Sequence, residues 1–330
     1  MPEKKSRNKD LHNAIRWKND EFYTQLSDIE KEIRNYKEYF RDKTVFCNCD
    51  DPEESHFWKY FSENFEFLGL KKLISTHYED EKPSYKLEIV ADINNDWRIN
   101  KLDTTKTALK QNGDFRSSEC IEILRESDIV VTNPPFSLFR EYVAQLFENN
   151  KKFLIIGNQN AITYKEFFPY IMDNKVWFGH SIHSWDREFR VPEYYPLNAS
   201  WSRIDGNGNK YIRVKWVRWF TNLDYKERHE DLILYKKYTP EEYPKYDNYD
   251  AINVNITKDI PMDYTDAIGV PITFLDKYNP EQFEILSAND IRTNKNVPLK
   301  KHWLIKDKDG AINWKATYAR IIIRNKKLNS

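Results

Sequence analysis

Glycine and cysteine are scarce in this sequence, and its charges cancel. The 330 residues include only 8 glycines and 3 cysteines, and 52 basic residues (Lys and Arg) balance 52 acidic ones (Asp and Glu). Cys47, Cys49 and Cys120 cannot form a disulfide framework, and no set of cysteines and histidines has the spacing of a zinc site. We therefore expect no metal. The lack of net charge neither supports nor excludes a nucleic-acid partner, because a neutral protein can carry a basic face.

Long hydrophobic runs are missing as well. No stretch approaches the roughly 20 apolar residues that a membrane-spanning helix needs. The N-terminal sequence MPEKKSRNKDLHNAIRWKND has no apolar core of the kind that defines a signal peptide. We therefore expect a soluble, cytoplasmic protein with no membrane partner. The polar and basic residues 1–19 predict a flexible arm.

Apolar strand-like segments alternate with amphipathic helical ones up to Gly179. The predicted strands are 44–49, 70–76, 85–93, 128–133, 151–158 and 175–179, and the predicted helices are 26–40, 54–68, 121–127, 136–150 and 162–174. This alternation predicts an α/β fold with a mostly parallel central sheet that is covered on both faces. Beyond Gly179, DGNGNK (205–210) predicts a hairpin turn between two strands, and a further strand is predicted at 318–325.

The segment DIVVTNPPFSLF (128–139) carries the clearest chemical signal. An apolar strand runs directly into Asn133, two prolines and an aromatic residue, and a helical pattern follows. Ligands collect at the carboxyl ends of strands in an open α/β sheet. Pro134 and Pro135 fix φ and lack backbone donors, so that carbonyl groups remain as acceptors beside the Asn133 side chain. Two converging acceptors and the ring of Phe136 suit a planar ring that bears an exocyclic amine.

Such an amine is a poor nucleophile, because its lone pair is delocalised into the ring. Acceptors for both of its protons favour a pyramidal nitrogen and restore the lone pair as the transition state forms. The absence of a Pro-Cys dipeptide argues against cytosine C5 methylation, which requires a covalent thiolate. The alternative reading is a turn that merely ends a strand, but the flanking strand and helix favour a functional role.

Several strings resemble the EcoRI-type adenine-specific DNA methyltransferases. NPPF resembles their motif IV, DEFYTQ (20–25) their motif X, and NGDFRSSE (112–119) their motif III. CNCDDP (47–52), KKFLIIGN (151–158), YPKYDNYDAINVN (243–255) and GVPITFLDKYNPEQFE (269–284) are similar to that family as well. The resemblance extends from about residue 20 to the end of the chain. It implies a Rossmann-like fold, S-adenosyl-L-methionine as cofactor, and methylation of N6 of a flipped adenine in double-stranded DNA.

The resemblance also implies roles for individual residues. Asn133 and the Pro134 carbonyl would accept from the target amine, Pro135 would keep the turn rigid, and Phe136 would stack on the base. Asp114 would accept from the cofactor's adenine amine, and Phe115 would pack on that ring. The other residues expected at the cofactor are Phe22, Tyr23, Thr24, Gln25, Asn48, Cys49, Asp50, Asp51 and Pro52, with Asn133 between the two ligands.

The loop CNCDDP departs from the broader superfamily, which has a glycine-rich loop after its first strand. Glycine lets the backbone approach a ligand closely, and here Asn48, Asp50 and Asp51 are expected to substitute with side chains. The alternative is that Asp50 and Asp51 cap the next helix. The acid that would bind the cofactor ribose is left open between Glu79, Asp80 and Glu81.

The non-periodic half of the chain is expected to read DNA. The candidate contacts to phosphate or guanine are Arg187, Arg190, Arg203, Lys210, Arg213 and Lys215. For each of them taken singly, a solvated charged strand face is the alternative. We divide the chain into the arm 1–19, a catalytic domain 20–235 with a DNA-contacting hairpin insertion at about 180–218, and a C-terminal target-recognition region 236–330.

The expected protein is a monomeric modification enzyme of a type II restriction-modification system or an orphan methylase. Two alternatives remain. NPPF-type motifs also serve RNA adenine and protein-glutamine methyltransferases, and a DNA-binding protein could retain an inactive fold of this kind. The N-terminal position of DEFYTQ and the large C-terminal region favour DNA as the substrate, and the intact NPPF and GDF strings favour an active enzyme.

Overall fold

The computed structural model describes residues 22–49, 51–79, 83–181, 186–193, 195, 197, 201–247, 250–288, 311–312, 315–316 and 320–328. The predicted arm 1–19 lies outside these residues. The chain divides into a first unit, residues 1–161 and 179–223, and a second unit, residues 162–178 and 224–330. The assignment of a catalytic domain and a target-recognition region stays a prediction.

The secondary structure of the described residues is mixed. The α-helices are α1 (Leu26–Ile33), α2 (Lys37–Phe40), α3 (His56–Glu63), α4 (Phe65–Leu68), α5 (Ser118–Glu126), α6 (Phe139–Glu148) and α7 (Phe168–Met172). The strands of the first unit are β1 (Thr44–Cys47), β2 (Lys72–Thr76), β3 (Tyr85–Ile89), β4 (Thr105–Ala108), β5 (Ile129–Thr132), β6 (Lys152–Asn158), β8 (Asp186–Val191), β9 (Ser202–Ile204), β10 (Lys210–Lys215) and β11 (Val217–Thr221). Those of the second unit are β7 (Trp177–Phe178), β12 (Ile252–Asn253), β13 (Ile268–Pro271), β14 (Phe283–Ala288), β15 (Ala311–Ile312), β16 (Lys315–Ala316) and β17 (Arg320–Asn325). Short 3-10 helices span Arg34–Tyr36, Lys101–Asp103, Phe136–Leu138, Gln159–Thr163, Lys226–His229, Thr257–Asp259, Ile272–Lys277 and Lys326–Leu328.

The first unit is built on a sheet with a parallel centre. Its strands follow the order β4-β3-β2-β1-β5-β6-β11. The four central strands β2, β1, β5 and β6 are parallel, whereas β3, β4 and β11 pair antiparallel. Every residue of β1 and β5 is buried, as expected for parallel strands with both faces covered. The predicted α/β class with a mostly parallel centre is confirmed.

Two aromatic contacts establish that helices cover both faces of this sheet. The ring of Phe57 in α3 lies 5.9 Å from that of Trp219 in β11, and Phe139 in α6 lies 5.3 Å from Phe220. Successive side chains of a strand point to opposite faces, so α3 and α6 lie on opposite sides of the sheet. Gly157 in β6 permits the packing of α6, because a Cβ there would fall 2.3 Å from the Phe139 ring.

The structure corrects several predicted elements. Strand β4 lies where no element was predicted, because its four residues are all exposed and lack the apolar alternation that identifies a strand. The predicted helix 54–68 is divided at Asn64 into α3 and α4. The predicted strand 85–93 ends at Ile89, and the helix predicted at 162–174 is an α-helix only over Phe168–Met172.

A second sheet of the first unit has the order β8-β10-β9 and is antiparallel throughout. The predicted hairpin is confirmed as β9 and β10. The Asp205 carboxylate closes its turn by accepting from the backbone N–H groups of Asn207 and Asn209, each at 2.9 Å. The predicted second strand of the hairpin breaks at Trp216, where φ is +63°, and β11 beyond it belongs to the central sheet.

The second unit contains a sheet of order β12-β13-β17-β14. Strand β17 confirms the strand predicted at 318–325 and pairs antiparallel with both β13 and β14. Gly269 in β13 leaves room for Tyr246, since a Cβ would lie 2.3 Å from the tyrosine oxygen. The Tyr246 hydroxyl donates to Asn253 Oδ1 at 2.7 Å, which satisfies both buried groups.

His229 in the second unit supplies a test of this fold. Its Nε2 lies 2.6 Å from Asp224 and its Nδ1 lies 3.0 Å from Glu281. Burial alone would lower the pKa of His229, but its bonds to the two carboxylates outweigh burial and raise the pKa above its ordinary value. The resulting stability is fully present below the unfolded-state pKa and is lost as the pH rises through the folded-state pKa.

We therefore expect His229→Gln to lower the melting temperature near pH 6 and to have little effect above pH 8. His229 is 38% exposed, so the loss should be below about 1 kcal/mol. Thermal unfolding of the wild type and the variant from pH 6 to pH 9 measures this difference, with His12→Gln in the predicted arm 1–19 as the control. A difference that did not change with pH would contradict the charged state assigned to His229.

Candidate active site

Asn133 lies where β5 ends, next to the end of β1. It is 5% exposed, and its Nδ2 donates to the Phe22 carbonyl oxygen at 2.5 Å. The Thr132 hydroxyl donates to the Asn48 carbonyl, which joins the carboxyl ends of β5 and β1. Pro134 is buried and Pro135 is half-buried at the start of the turn. The chain therefore brings Asn133, Asn48 and Phe22 together at one edge of the sheet.

The ring of Phe136 takes part in an aromatic group. The Phe22 ring lies 5.5 Å from Phe136, 5.8 Å from Phe189 and 6.3 Å from Tyr195, with all three pairs tilted. Phe136 itself is half-buried and begins a short 3-10 helix. Tilted pairs at such distances are favourable, and the group holds Phe136 next to Asn133.

The loop after β1 turns without glycine. Asn48 is 1% exposed, and its Oδ1 accepts from the Tyr142 hydroxyl. Cys49 has φ +72°, the left-handed conformation that glycine usually supplies. Asp50 lies outside the described residues, and Pro52 is buried. The position that demands a left-handed residue is therefore Cys49.

The Asp51 carboxylate stabilises the turn that follows this loop. Its Oδ1 accepts from the Glu53 N–H at 2.8 Å, and its Oδ2 lies 3.8 Å from His77 Nε2. The cap of α3 is instead Ser55, whose hydroxyl accepts from the Phe57 N–H at 3.1 Å. Asp51 thus caps the turn before the helix and leaves the helix end to Ser55.

The segment 112–116 forms a tight turn against the end of β2. Gly113 has φ +80°, and a Cβ there would fall 1.8 Å from the His77 carbonyl oxygen, so no other residue fits. Asp114 pairs with Arg116, whose Nη2 lies 2.6 Å from Asp114 Oδ2. Burial alone would raise the pKa of the Asp114 carboxyl, but the hydrogen bonds from Arg116 outweigh burial and hold that pKa below its ordinary value. Asp114 is therefore a carboxylate at neutral pH.

Tyr142 connects this turn with the loop after β1. Phe115 is 6% exposed and packs edge-on against the Tyr142 ring at 5.1 Å. Its carbonyl also accepts from Gln145 Nε2 at 3.0 Å, so that α6 holds the turn at two points. Tyr142 was not among the residues predicted for this site. The available signal was a tyrosine on the apolar face of the helix after NPPF, since a buried hydroxyl requires a partner.

The segment 22–25 crosses the site in an extended conformation. Tyr23 forms an antiparallel bridge with Arg190 of β8, with N–O distances of 2.9 and 3.2 Å. The buried Thr24 offers its carbonyl to His56 Nδ1 at 2.7 Å. Gln25 and Pro52 line a cavity of about 470 Å³, whose other walls come mainly from α3 and the loop before it. Asn133 does not line this cavity, so it is distinct from the predicted clamp.

Glu79 is the one described member of the three candidates for the ribose acid. Its N–H donates to the Asn112 carbonyl at 2.8 Å, which places it beside the 112–116 turn. Asp80 and Glu81 lie outside the described residues. The choice between the three stays open.

Four of the six predicted DNA-contacting cations have partners within the chain. Arg187 pairs with Asp28 at 3.4 Å, Arg190 pairs with Glu54, Arg203 makes two bonds to Glu188 at 2.9 and 2.6 Å, and Lys210 donates to the carbonyls of Glu193 and Tyr195. Arg213 and Lys215 are exposed on one face of β10, and the Arg213 guanidinium lies 4.0 Å from the centre of the Trp201 ring.

Within the described parts of the chain, no group of three His, Cys, Asp or Glu side chains is placed to hold a metal ion. No helix of those parts is long and apolar enough to cross a membrane.

Comparisons with known proteins identify the family of the chain. Residues 10–326 match the family model "Adenine-specific methyltransferase EcoRI". The chain is 51% identical to the type II methyltransferase M.EcoRI of Escherichia coli, over 97% of this chain and 98% of the relative. It is 40% identical to M.MgeORF184P of Mycoplasma genitalium (96% and 99% covered) and 36% identical to M.MpnI of Mycoplasma pneumoniae (96% and 98%), both type II methyltransferases. No solved structure matches significantly.

The family match spans almost the whole chain and includes every site element described above. The relatives are aligned nearly end to end, so that NPPF, the 112–116 turn and the C-terminal region all fall inside the matched length. The chain therefore belongs to the EcoRI-type family of adenine-specific DNA methyltransferases.

Proposed function

We propose that this chain transfers the methyl group of S-adenosyl-L-methionine to N6 of an adenine that is flipped out of double-stranded DNA. The observation that carries the proposal is the fixed amide of Asn133 at the end of β5. Its Nδ2 faces the Phe22 carbonyl, so its Oδ1 points the other way and presents an acceptor. The following prolines keep the Pro134 carbonyl beside it.

The chemistry that we assign to this clamp is electrostatic and geometric. Asn133 Oδ1 and the Pro134 carbonyl accept the two protons of the target amine, which favours the pyramidal nitrogen of the transition state. Phe136 stacks on the base, and Phe22 holds the Phe136 ring in place at 5.5 Å. Pro135 keeps the turn rigid, so that little reorganisation accompanies the reaction.

The residues around the 112–116 turn fit the adenosine part of the cofactor. Asp114 offers a carboxylate to an amine, Phe115 offers a buried ring, and Gly113 lets the backbone approach closely. When bound, the cofactor supplies an electrophilic methyl group. Asn48, Cys49, Asp51 and Pro52 form the loop that we assign to its amino-acid end, with residues 22–25 crossing the site beside Asn133.

We assign DNA contacts first to Arg213 and Lys215, because both are exposed on one strand face. Arg187, Arg190, Arg203 and Lys210 stay candidates that would have to exchange a partner within the chain. The C-terminal residues 236–330 are proposed to complete target recognition. A monomer that modifies the DNA of a restriction-modification system is the proposed biological form, and the cytoplasm is its proposed location.

We expect Asn133→Ala to lower turnover at least about 100-fold while DNA affinity stays close to wild type, because an acceptor for developing charge is removed. Transfer of labelled methyl to duplex DNA, tRNA and protein measures both the activity and the substrate class. Asn149→Ala, at the far end of α6, is the matched control. Strong transfer to RNA or protein without transfer to DNA would overturn the proposed substrate, and a near-wild-type rate for Asn133→Ala would overturn the clamp.

Tyr142→Phe tests the support beneath the cofactor loop. It keeps the ring against Phe115 and removes the hydroxyl that Asn48 Oδ1 accepts from. The loss of one buried hydrogen bond, ~1 kcal/mol, should raise the KM for S-adenosylmethionine about fivefold. Steady-state kinetics check this, with Tyr235→Phe, an exposed tyrosine of the second unit, as control. An unchanged KM would show that Asn48 does not depend on Tyr142.

The salt dependence of DNA affinity distinguishes cations of the three-stranded sheet that contact phosphate from those that pair within the chain. Each phosphate contact adds about 0.9 to the slope of log K against log salt, so Arg213→Gln and Lys215→Gln should each lower the slope by roughly 1. Arg203→Gln serves as the control, because Arg203 is held by Glu188. DNA affinity is measured between 50 and 200 mM salt. An equal reduction for Arg203→Gln would show that its ion pair opens on DNA.

A further inference from the structure

Arg116 wraps around the turn that contains Asp114 and Phe115. Its backbone N–H and its Nε donate to Asp114 Oδ1 at 2.8 and 2.9 Å, and its Nη2 donates to Oδ2 at 2.6 Å. The guanidinium also lies 5.3 Å from the centre of the Phe115 ring. On its other side, Nη1 lies 3.6 Å from Glu141 of α6. One side chain thus holds both residues that the proposed cofactor site relies on.

The pairing limits how Asp114 can accept further hydrogen bonds. A carboxylate has about four acceptor positions, two on each oxygen. Arg116 donates twice to Oδ1 and once to Oδ2, so the remaining position is on Oδ2. The bidentate geometry fixes the rotation of the carboxylate as well as its charge. Asp114 is 20% exposed in this arrangement and Arg116 is 46% exposed. The remaining acceptor position on Oδ2 therefore belongs to the less exposed of the two side chains.

We propose that Arg116 is a positioning residue for the cofactor, acting through Asp114: it directs Asp114 Oδ2 at the adenine amine and keeps this carboxylate charged. The inference rests on the proposed function and assigns a role that the EcoRI-type motif residues alone do not give. Arg116 makes no contact with the reacting atoms in this assignment. Its effect is confined to cofactor binding, and turnover at saturating cofactor is left unchanged.

The charged surroundings of Asp114 come from several elements. Arg116 lies within the turn, Glu141 faces Arg116 from α6, and Tyr78 lies near Arg116 from the loop after β2. Cys120 of α5 lies close to both Asp114 and Glu119, and Glu119 accepts from the N–H groups of Lys110 and Gln111. Arg116 is thus the cation that offsets the burial of Asp114. Without it, burial would raise the pKa of this carboxyl.

The test is the affinity of the intact enzyme for S-adenosylhomocysteine, measured by titration calorimetry from pH 5.5 to pH 8. We expect Arg116→Gln to weaken binding roughly tenfold at neutral pH, and to weaken it further as the pH falls and Asp114 becomes protonated. The wild-type affinity should stay level over this range. The affinity of Arg116→Lys should lie between those of the wild type and Arg116→Gln, because lysine keeps the charge but loses the bidentate geometry. Arg125→Gln, an exposed arginine of α5, should bind like the wild type.

Two further measurements separate a positioning role from a purely structural one. Arg116→Gln in an Asp114→Asn background should cause no additional loss, since Arg116 acts through Asp114. S-inosylhomocysteine carries a carbonyl oxygen in place of the adenine amine. The ratio of the affinities for S-adenosylhomocysteine and S-inosylhomocysteine should be smaller for Arg116→Gln than for the wild type. Thermal unfolding verifies that both variants are folded.

Additive losses in the double variant would overturn the inference, as would an Arg116→Gln affinity equal to wild type at every pH. A rise in the KM for DNA instead of cofactor would also overturn it, by assigning Arg116 to a phosphate. A wild-type enzyme that failed to bind S-adenosylhomocysteine would contradict the proposed function itself. Failure of the inference and failure of the function are therefore distinguishable.

Discussion

Asn48 is the residue on which the arrangement of the site depends. Its carbonyl accepts from the Thr132 hydroxyl, and its side chain accepts from the Tyr142 hydroxyl. These bonds join the ends of β1 and β5 to α6, and Tyr142 extends the connection to Phe115. Asn48 is 1% exposed, and buried polar groups that lose a partner retain the full cost of their desolvation. The loop after β1, the end of β5 next to Asn133 and the 112–116 turn therefore form one network.

The scarcity of glycine has a structural explanation in this network. The loop after β1 obtains its left-handed turn from Cys49, at a cost of roughly 1–2 kcal/mol relative to glycine. Asn48 and Tyr142 hold the neighbouring backbone in place and offset that cost. Glycine appears instead at position 113, where the His77 carbonyl excludes any side chain. The left-handed position of the loop after β1 tolerates a side chain, whereas that of the 112–116 turn does not.

The central fold could be predicted because the parallel strands are short, continuous apolar runs. DIVVTN and TVFC carried that signal, and their parallel order placed Asn133 and Asn48 at one edge. Strand β4 could not be predicted, because Thr105–Ala108 is an exposed edge strand without apolar alternation. Tyr142 was missed because its role depends on a partner 94 positions away in the chain.

The charges of the three-stranded sheet show the same limit of sequence reasoning. An Arg in an alternating strand indicates an exposed cation, but the acid that faces it depends on register. Arg203 of β9 pairs with Glu188 of β8 across the intervening strand β10, and Arg190 pairs with Glu54 in the loop before α3. Exposed pairs of this kind contribute between zero and about 1 kcal/mol to stability. Each pair therefore holds its cation only weakly, and the cation can exchange its partner. Arg213 instead lies over Trp201, with its guanidinium 4.0 Å from the centre of the ring.

Residues 22 and 23 join the three-stranded sheet to the clamp. Tyr23 pairs with Arg190 of β8, and the adjacent Phe22 offers its carbonyl to Asn133 and its ring to Phe136 and Phe189. A displacement of β8 would therefore act on the dipeptide that orients the Asn133 amide. Because a hydrogen bond weakens steeply as its angle departs from linear, a small movement of this backbone would change where Asn133 Oδ1 points. The three-stranded sheet and Asn133 are thus connected through two consecutive residues.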